Sequence, residues 1–536
     1  MTKKFLLILF CVIFIINLTG CQKKSDLPEN QIIKYNIDNE PRTLDPQICN
    51  DSSSNIIIMN IFEGLTRLDS NENITAGVAL SWEISPDNLR YTFHLRTDSF
   101  WSDKEKTPLT AHDFVFGLQR ALDKYTNSPK AYTLYCIKNA RNININGAPS
   151  TTLGVTALDN YTLSIELDYP VDNFLYLMTT PPAMPCNKDF FEKSNGQYGL
   201  ESSTILSNGA FKIKLRYGWD HYNTLNIVKN ENYTGNNQPV PAGVSFTIGK
   251  DITDTVNLIK NSSIDAAFLP TEQISKAEKE KLPLLSFKDT LWGLTFNNKS
   301  GIFSNLNIRL GFLKSLNREY ILSSIPENCE ISNDIVLDGL NANGDNFRSI
   351  AGNNLCIKED SNAKNVLNLG IDQLKLRDLP SISILCIDTP IVKKIVSNII
   401  ENLNSKLGYY FNMEPVSEST LLSRVYSANY QIAFAPICAD SNSAFEFLNK
   451  FKSDSKKNIA NLNNSEYDKL LNSFTLTTDK NSIKYLISAE KILNDNAIFY
   501  PMYVQNRYFA TSNKLSKLIV HNYNQGIDFF FATKTK

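Results

Sequence analysis

Apolar residues recur along the chain with the spacings of both strands and helices, which predicts an α/β protein. The run QIAFAPICAD, residues 431–440, is apolar until it ends on Asp440, and such a run is typical of a buried interior strand. We expect Pro436 to stop the hydrogen-bond ladder, because proline has no backbone N–H. Asp440 then lies where a strand opens into a crevice, with no counter-charge near it.

Two interpretations of Asp440 follow from the local pattern. The segment after it, SNSAFEFLNKF, has the pattern of a helix, and an aspartate in front of a helix can cap its first N–H groups. Alternatively, the carboxylate faces a ligand. The local sequence leaves both open.

Other elements are predicted from shorter patterns. Residues 82–84 and 91–96 alternate in polarity around a Ser-Pro-Asp-Asn turn, which predicts a hairpin with His94 on its polar surface. Thr110 and Asp113 have the spacing of a capping box and open an amphipathic helix. An apolar helical segment is expected to end at Gly64, and another helix is expected between Pro390 and Gly408.

The amino terminus has the pattern of an export signal. Lys3 and Lys4 precede an apolar run over residues 5–16, which is short for a bilayer span. Leu-Thr-Gly-Cys then resembles the bacterial lipobox, in which Cys21 is lipidated. We therefore expect a lipoprotein signal peptide over residues 1–20 and a lipidated polar tether over residues 21–30.

Composition and charge exclude several classes of protein. The 536 residues are 42% hydrophobic and 20% charged, as in ordinary globular proteins, and the length alone suggests three or four domains. A formal net charge of −1 gives no basic footprint for nucleic acid and no polybasic strip for a membrane surface. Apart from Cys11 and Cys21, the cysteines are irregularly spaced and are expected to be small buried residues: Cys49, Cys136, Cys186, Cys329, Cys356, Cys386 and Cys438.

A series of segments, all in one order, resembles the bacterial oligopeptide-binding proteins, which are the family 5 solute-binding proteins of peptide ABC importers. The resemblance spans nearly all of the mature chain. Its segments are NEPRTLDP, IFEGLTRLD, SWEISPDNLRYTFHLR, FWSD, LTAHDFVFGLQRALD, SNGAFKIK, VKNENYTG, LTFNN, NIRLGFLKSLNREYIL, QIAFAPICADSNSAFEFLNKF, NSEYDKLLNSF and AEKILNDNAIFYPMY.

This resemblance implies a periplasmic-binding-protein-like clamp of two lobes with an extra inserted domain. Domain I would comprise residues 31–62, 195–288 and 506–536, domain II residues 63–194, and domain III residues 289–505. The resemblance also implies binding of short peptides, delivery to an inner-membrane permease with its ATPase subunits, and a place in the periplasm or cell envelope. The lipid at Cys21 would hold the protein at the membrane.

The resemblance further implies where a ligand binds. In the family, backbone around a Cys-Ala-Asp segment grips the peptide and the aspartate receives its α-amino group. The matching residues here are Cys438, Ala439 and Asp440, and the loop across the cleft is formed by Asn50, Asp51 and Ser52.

Four positions of the implied pocket depart from the family pattern. Ile437 stands where tryptophan is usual, and Phe434 stands where many members have an arginine. Lys130 replaces a tyrosine and can meet a carboxylate, and Glu418 replaces an aromatic residue. The amino-terminal anchor is therefore retained while the pocket walls differ.

Catalytic motifs are missing from the sequence. There is no GxSxG, HExxH, GxGxxG or phosphate-binding loop, and the four histidines lack metal-ligand spacing. A dyad of Cys438 with a distant histidine stays open. We expect no cofactor and no metal. A peptide receptor, a receptor for a murein-derived peptide or another small solute, and a surface hydrolase or adhesin are the alternatives.

Overall fold

The computed structural model describes residues 31–535, apart from residues 172, 250–253, 327, 354–355, 410, 476–479 and 524–525. The predicted signal peptide, the tether and the lipidation site Cys21 lie outside the described residues. Within the described part, none of the helices combines the length and the apolar character needed to span a bilayer.

The described strands are numbered in chain order. They are β1 Ile32–Ile37, β2 Thr66–Leu68, β3 Ile74–Ala76, β4 Ala79–Ile84, β5 Arg90–Leu95, β6 Val155–Asp159, β7 Thr162–Glu166, β8 Phe211–Ile213, β9 Trp219–Asp220, β10 Thr224–Lys229, β11 Gly243–Ile248, β12 Ala266–Leu269, β13 Leu284–Phe296, β14 Cys329–Ile331, β15 Asn341–Ala342, β16 Asp345–Asn346, β17 Ile382–Ile387, β18 Phe411–Val416, β19 Ile432–Cys438, β20 Phe499–Thr511, β21 Leu515–Ser516, β22 Ile519–Val520, β23 Ile527–Asp528 and β24 Thr533–Lys534.

The described α-helices follow the same order. They are α1 Ser52–Ile61, α2 Ala111–Leu122, α3 Ala140–Asn146, α4 Phe174–Leu177, α5 Lys188–Lys193, α6 Thr255–Lys260, α7 Ile274–Lys279, α8 Leu306–Ser315, α9 Arg318–Leu322, α10 Phe347–Ala351, α11 Ala363–Gln373, α12 Pro390–Leu407, α13 Glu418–Tyr426, α14 Ala444–Asn449, α15 Ser465–Thr475 and α16 Ile483–Asp495.

Two lobes share one large mixed sheet, with the strand order β18-β17-β19-β13-β20-β12-β1-β11-β10-β8. Strands β13 and β20 are 13 residues long each and run antiparallel side by side through its middle. Strands β18, β17 and β19 extend the sheet on one side, and β12, β1, β11, β10 and β8 extend it on the other. The long pair therefore connects the two lobes of an α/β clamp, which is the architecture that the family resemblance implies.

The residues between β3 and β8 carry a separate antiparallel sheet, with the order β4-β5-β7-β6. The predicted hairpin is confirmed as β4 and β5, in which Trp82 pairs with Phe93. The predicted capping box is confirmed at the start of α2, where the Thr110 N–H donates to the Asp113 carboxylate at 2.8 Å. Helix α2 buries Phe114 and Leu118 against this sheet's core.

Strand β19 is an interior strand, which confirms the first prediction. It lies between β13 and β17, and apolar cores cover both of its faces. Ile432 and Phe434 belong to one core, and Ala433, Ala435 and Ile437 belong to the other. Because successive side chains of a strand point to opposite faces, a strand buried on both sides must be apolar throughout.

Two predicted element ends are wrong. Strand β19 continues past Pro436 to Cys438, where it still pairs with β13. A proline is tolerated there because β17, on the other side, pairs with β19 only at Ile432 and Ala433. Helix α1 ends at Ile61 and not at Gly64. Gly64 instead lies so close to the Met178 carbonyl that a Cβ there would be 2.3 Å from its oxygen.

Candidate functional site

A cleft of about 520 Å³ lies between the lobes. Its lining comes from the end of β1, the start of α1, residues 130–133 and 176–182 of the inserted part, and His521, Tyr523, Gly526 and Ile527 near the carboxyl terminus. Asp440, Glu446 and Lys457 line it from the opposite lobe. Solvent-open cavities of this kind between lobes are common ligand sites.

Polar contacts between the inserted part and the lobe of β19 close one end of the cleft. The Tyr176 hydroxyl donates to the Asp440 carbonyl at 3.3 Å, and the Asn173 amide donates to the Glu446 carboxyl at 2.7 Å. Arg141 and Asp454 form an ion pair at 2.8 Å, with both side chains well exposed. Such contacts between polar side chains are compatible with a hinge that opens.

Asp440 does not cap a helix, because Ser443 caps α14 by accepting from the Glu446 N–H. Nor is it without a counter-charge. Oδ2 of Asp440 is 2.9 Å from the ammonium of Lys450 and 2.7 Å from that of Lys457. Burial raises the pKa of Asp440, but the two ammonium groups outweigh it and hold the pKa well below its usual range.

Backbone groups around Asp440 are already hydrogen-bonded in this structure. The Cys438 carbonyl accepts from the Lys450 ammonium. The Ala439 N–H donates to the Asp289 carbonyl at 2.8 Å, and the Asp440 carbonyl accepts from Tyr176. Pairing of a ligand backbone with this segment therefore requires at least the Tyr176 contact to open.

The loop predicted to face Asp440 does line the cleft, through Asn50, Asp51 and Ser52. Asp51 also has a local role, because it caps α1. Its carboxylate accepts from the Ser54 N–H and the Ser54 hydroxyl, each at 2.8 Å. The loop is thus held at the helix start, where backbone N–H groups lack partners within the helix.

The remaining predicted pocket residues separate into two groups. Lys130 lines the cleft, just before a short 3₁₀ turn at Ala131–Leu134. Phe434, Ile437 and Glu418 do not line it. Phe434 is fully buried and stacks on Trp292 with ring centroids 5.6 Å apart, and Ile437 packs in the other core. Glu418 is exposed at the start of α13, where its carboxylate interacts favourably with the helix dipole.

Asn36 and Arg507 also line the cleft and were not predicted. Asn36 is 6% exposed, and neither end of its amide makes a hydrogen bond to another described residue. Arg507 donates through Nε to Oδ1 of Asp289 at 3.0 Å and lies over the Phe268 ring. Asn36 could have been found from the sequence, because it is a polar residue near the end of an otherwise apolar strand. No local sequence pattern distinguishes Arg507.

Nucleophilic chemistry at Cys438 has no support in the geometry. Its thiol lies 3.5 Å from the Thr290 hydroxyl and makes no hydrogen bond to a histidine among the described residues. Burial raises the pKa of the Cys438 thiol, which disfavours the reactive thiolate. In the described part of the chain, no three His, Cys, Asp or Glu side chains lie close enough together to hold a metal ion.

A clamp of two lobes around a solvent-accessible cleft is the architecture of a solute-binding protein, although a fold alone does not fix a function. Comparison with known proteins gives the family: residues 73–458 match the model described as bacterial extracellular solute-binding proteins, family 5. The chain therefore belongs to that family.

Similar proteins match over nearly the whole chain. The dipeptide-binding protein DppE of Bacillus subtilis is 26% identical, over 94% of this chain and 92% of its own length. The substrate-binding domain of an oligopeptide ABC transporter from Bacillus anthracis has a TM-score of 0.80 and 25% identity, over 95% of this chain and all of that one. OppA of Listeria monocytogenes, solved with a bound peptide, has a TM-score of 0.78 at 22% identity, over 94% of this chain and 99% of that one.

Proposed function

We propose that this chain is a lipid-anchored receptor outside the cytoplasm that captures short peptides and delivers them to an ABC importer. The observation that carries the proposal is the cleft between the lobes. Its volume of about 520 Å³ lies within the roughly 300–1,000 Å³ that is usual for ligand pockets, which leaves room for a short peptide. The names of the similar proteins, which include dipeptide- and oligopeptide-binding proteins, support the same ligand class.

Capture requires the lobes to part and close again. The hinge would lie in β13 and β20, the long strands that pass between the lobes, and the Tyr176 and Asn173 contacts would break on opening. The closed receptor would then present a composite surface to the membrane permease, whose ATPase subunits drive transport. Small-angle scattering tests closure, because the radius of gyration should fall when a peptide that binds is added to the ligand-free protein. An unchanged radius with saturating ligand would contradict a clamp.

The ligand class is tested by mass spectrometry of small molecules released from the purified mature protein, followed by calorimetry with the compounds found. We expect short peptides, returned intact. Fragments of a peptide added intact would instead favour a hydrolase, and a non-peptide solute would overturn peptide capture.

Anchoring is tested at Cys21, because its thiol is the group that would receive the lipid. The Cys21→Ser precursor should stay uncleaved at this site and should not be acylated. Continued membrane partitioning through this site would contradict the lipid anchor.

A further inference from the structure

The carboxylate of Asp440 forms ion pairs with two lysine side chains of its own chain. Both Lys450 and Lys457 place their ammonium groups on the same oxygen, at 2.9 and 2.7 Å. A ligand ammonium at this point would meet two positive charges and one negative charge. The group of three therefore carries an uncompensated positive charge, which attracts anions and repels cations.

Lys450 is the fixed member of the group. Its side chain is only 12% exposed, it donates to the Cys438 carbonyl as well as to Asp440, and it lies beside the Phe447 ring. These contacts all come from its own lobe and hold its ammonium beside Asp440. Even if Lys457 moved aside, Asp440 would remain neutralised by Lys450.

Lys457 is the member that faces the cleft. Its side chain is 36% exposed, and its ammonium lies 5.6 Å from the centre of the Tyr132 ring in the opposite lobe. A carboxylate on one side and an aromatic face on the other are what an ammonium ligand prefers. The chain's own lysine therefore occupies the place where a ligand ammonium would sit.

The other carboxyl at this end of the cleft is held by neutral groups. Glu446 accepts hydrogen bonds from the Ser441 hydroxyl and the Asn173 amide, and burial raises its pKa. Within the described residues, Lys450 and Lys457 form their ion pairs with Asp440 and not with Glu446.

We propose that Lys457 sets the specificity of this end of the cleft, making it a site for a carboxylate and not for a free α-ammonium. This inference rests on the proposed function as a peptide receptor. The carboxylate could belong to an acyl group on the peptide's amino terminus or to the carboxyl terminus of a peptide bound in the reverse direction. The chemistry is the same in both cases, and the probes below separate them.

The test uses calorimetry with the mature protein and four probes: trialanine, N-acetyl-trialanine, N-succinyl-trialanine and trialanine amide. We expect wild type to bind the succinyl peptide at least about tenfold more tightly than trialanine amide, whose only charge is its ammonium. If trialanine binds weakly, the carboxylate that is bound is the one on the succinyl group. If trialanine binds as tightly as the succinyl peptide, the bound carboxylate is the carboxyl terminus of the peptide.

Variants of Lys457 make the test specific. Lys457→Met should reduce the preference for the succinyl peptide at least about tenfold, and Lys457→Arg should keep it. Lys456→Met is the matched control, because Lys456 is an exposed neighbour without a contact to Asp440. This variant should prefer the succinyl peptide over trialanine amide as strongly as wild type does.

Tighter binding of trialanine amide than of the succinyl peptide by wild type would overturn the inference while leaving a peptide receptor. An unchanged preference in Lys457→Met would overturn it as well. If none of the four probes binds wild type or variants, the proposed function fails, and the inference fails with it.

Discussion

The ion pair between Asp289 and Arg507 lies where the lobes join. Asp289 is the extra residue of a β-bulge in β13, between the paired positions Lys288 and Thr290, and Arg507 is on the neighbouring strand β20. The two side chains differ in burial: Asp289 is 4% exposed and Arg507 is 32% exposed. Removing either partner should therefore have unequal effects on stability.

The larger loss is expected for Arg507→Met. Among the described residues it leaves the buried Asp289 carboxylate with one side-chain partner, the Thr290 hydroxyl at 2.8 Å. An uncompensated buried charge costs about 3–5 kcal/mol. In Asp289→Asn the guanidinium keeps its contact with the Phe268 ring and can be hydrated through its exposed third, so we expect a loss of about 1–2 kcal/mol.

Urea titration of the ligand-free protein, followed by tryptophan fluorescence, measures both losses. The double variant Asp289→Asn/Arg507→Met should be more stable than Arg507→Met alone, because the buried charge is gone. Arg90→Met is the control, since its pair with Glu166 is solvent-exposed and should contribute less than about 1 kcal/mol. An equal or larger loss in Asp289→Asn would refute the argument from burial.

Two further predictions concern single polar side chains. Asn36→Leu should raise the free energy of unfolding of the ligand-free protein by about 1 kcal/mol, because a buried amide without a partner is lost. The same variant should weaken peptide binding about fivefold or more, because the amide would no longer be available to the ligand. A variant that binds peptide as well as wild type would contradict a ligand contact at Asn36. His221 is paired with Glu40 at 2.6 Å and Glu201 at 3.3 Å. Burial lowers its pKa, but the two carboxylates outweigh this and raise it above 6.5. The stabilisation it supplies should therefore be complete below pH 6.5 and decline as the pH rises through the raised pKa. The stability difference between wild type and His221→Gln should shrink from pH 6 to pH 9, and a difference that grows would contradict this sign.

Local rules were sufficient where the partners of a residue are its sequence neighbours. The capping box at Thr110 and Asp113 forms within one helical turn, and the hairpin of β4 and β5 needs only its turn and its alternation. Helix α12 begins at Pro390 and Gly408 follows it in the left-handed conformation, as the sequence predicts. The ordered series of segments was enough to identify the family.

Local rules failed at the candidate site because its partners are distant in sequence or lie on other elements. Asp440 looked unpaired, although Lys450 and Lys457 fold back to it from 10 and 17 positions further on. The run KSDSKKN that contains Lys457 has the composition of an ordinary solvated loop. Phe434 and Ile437 looked like pocket walls, yet the sheet buries them on its two opposite faces.

Sequence patterns were enough for the β4–β5 hairpin, the starts of α2 and α12, the interior character of β19 and the family. The tertiary structure alone decided which charges meet in the cleft, because helix and strand preferences act over a few residues whereas an ion pair depends only on distance in space. The pairing of Asp440 with Lys457 is therefore a property of the folded chain, set by how the loop with Lys457 returns to the end of β19.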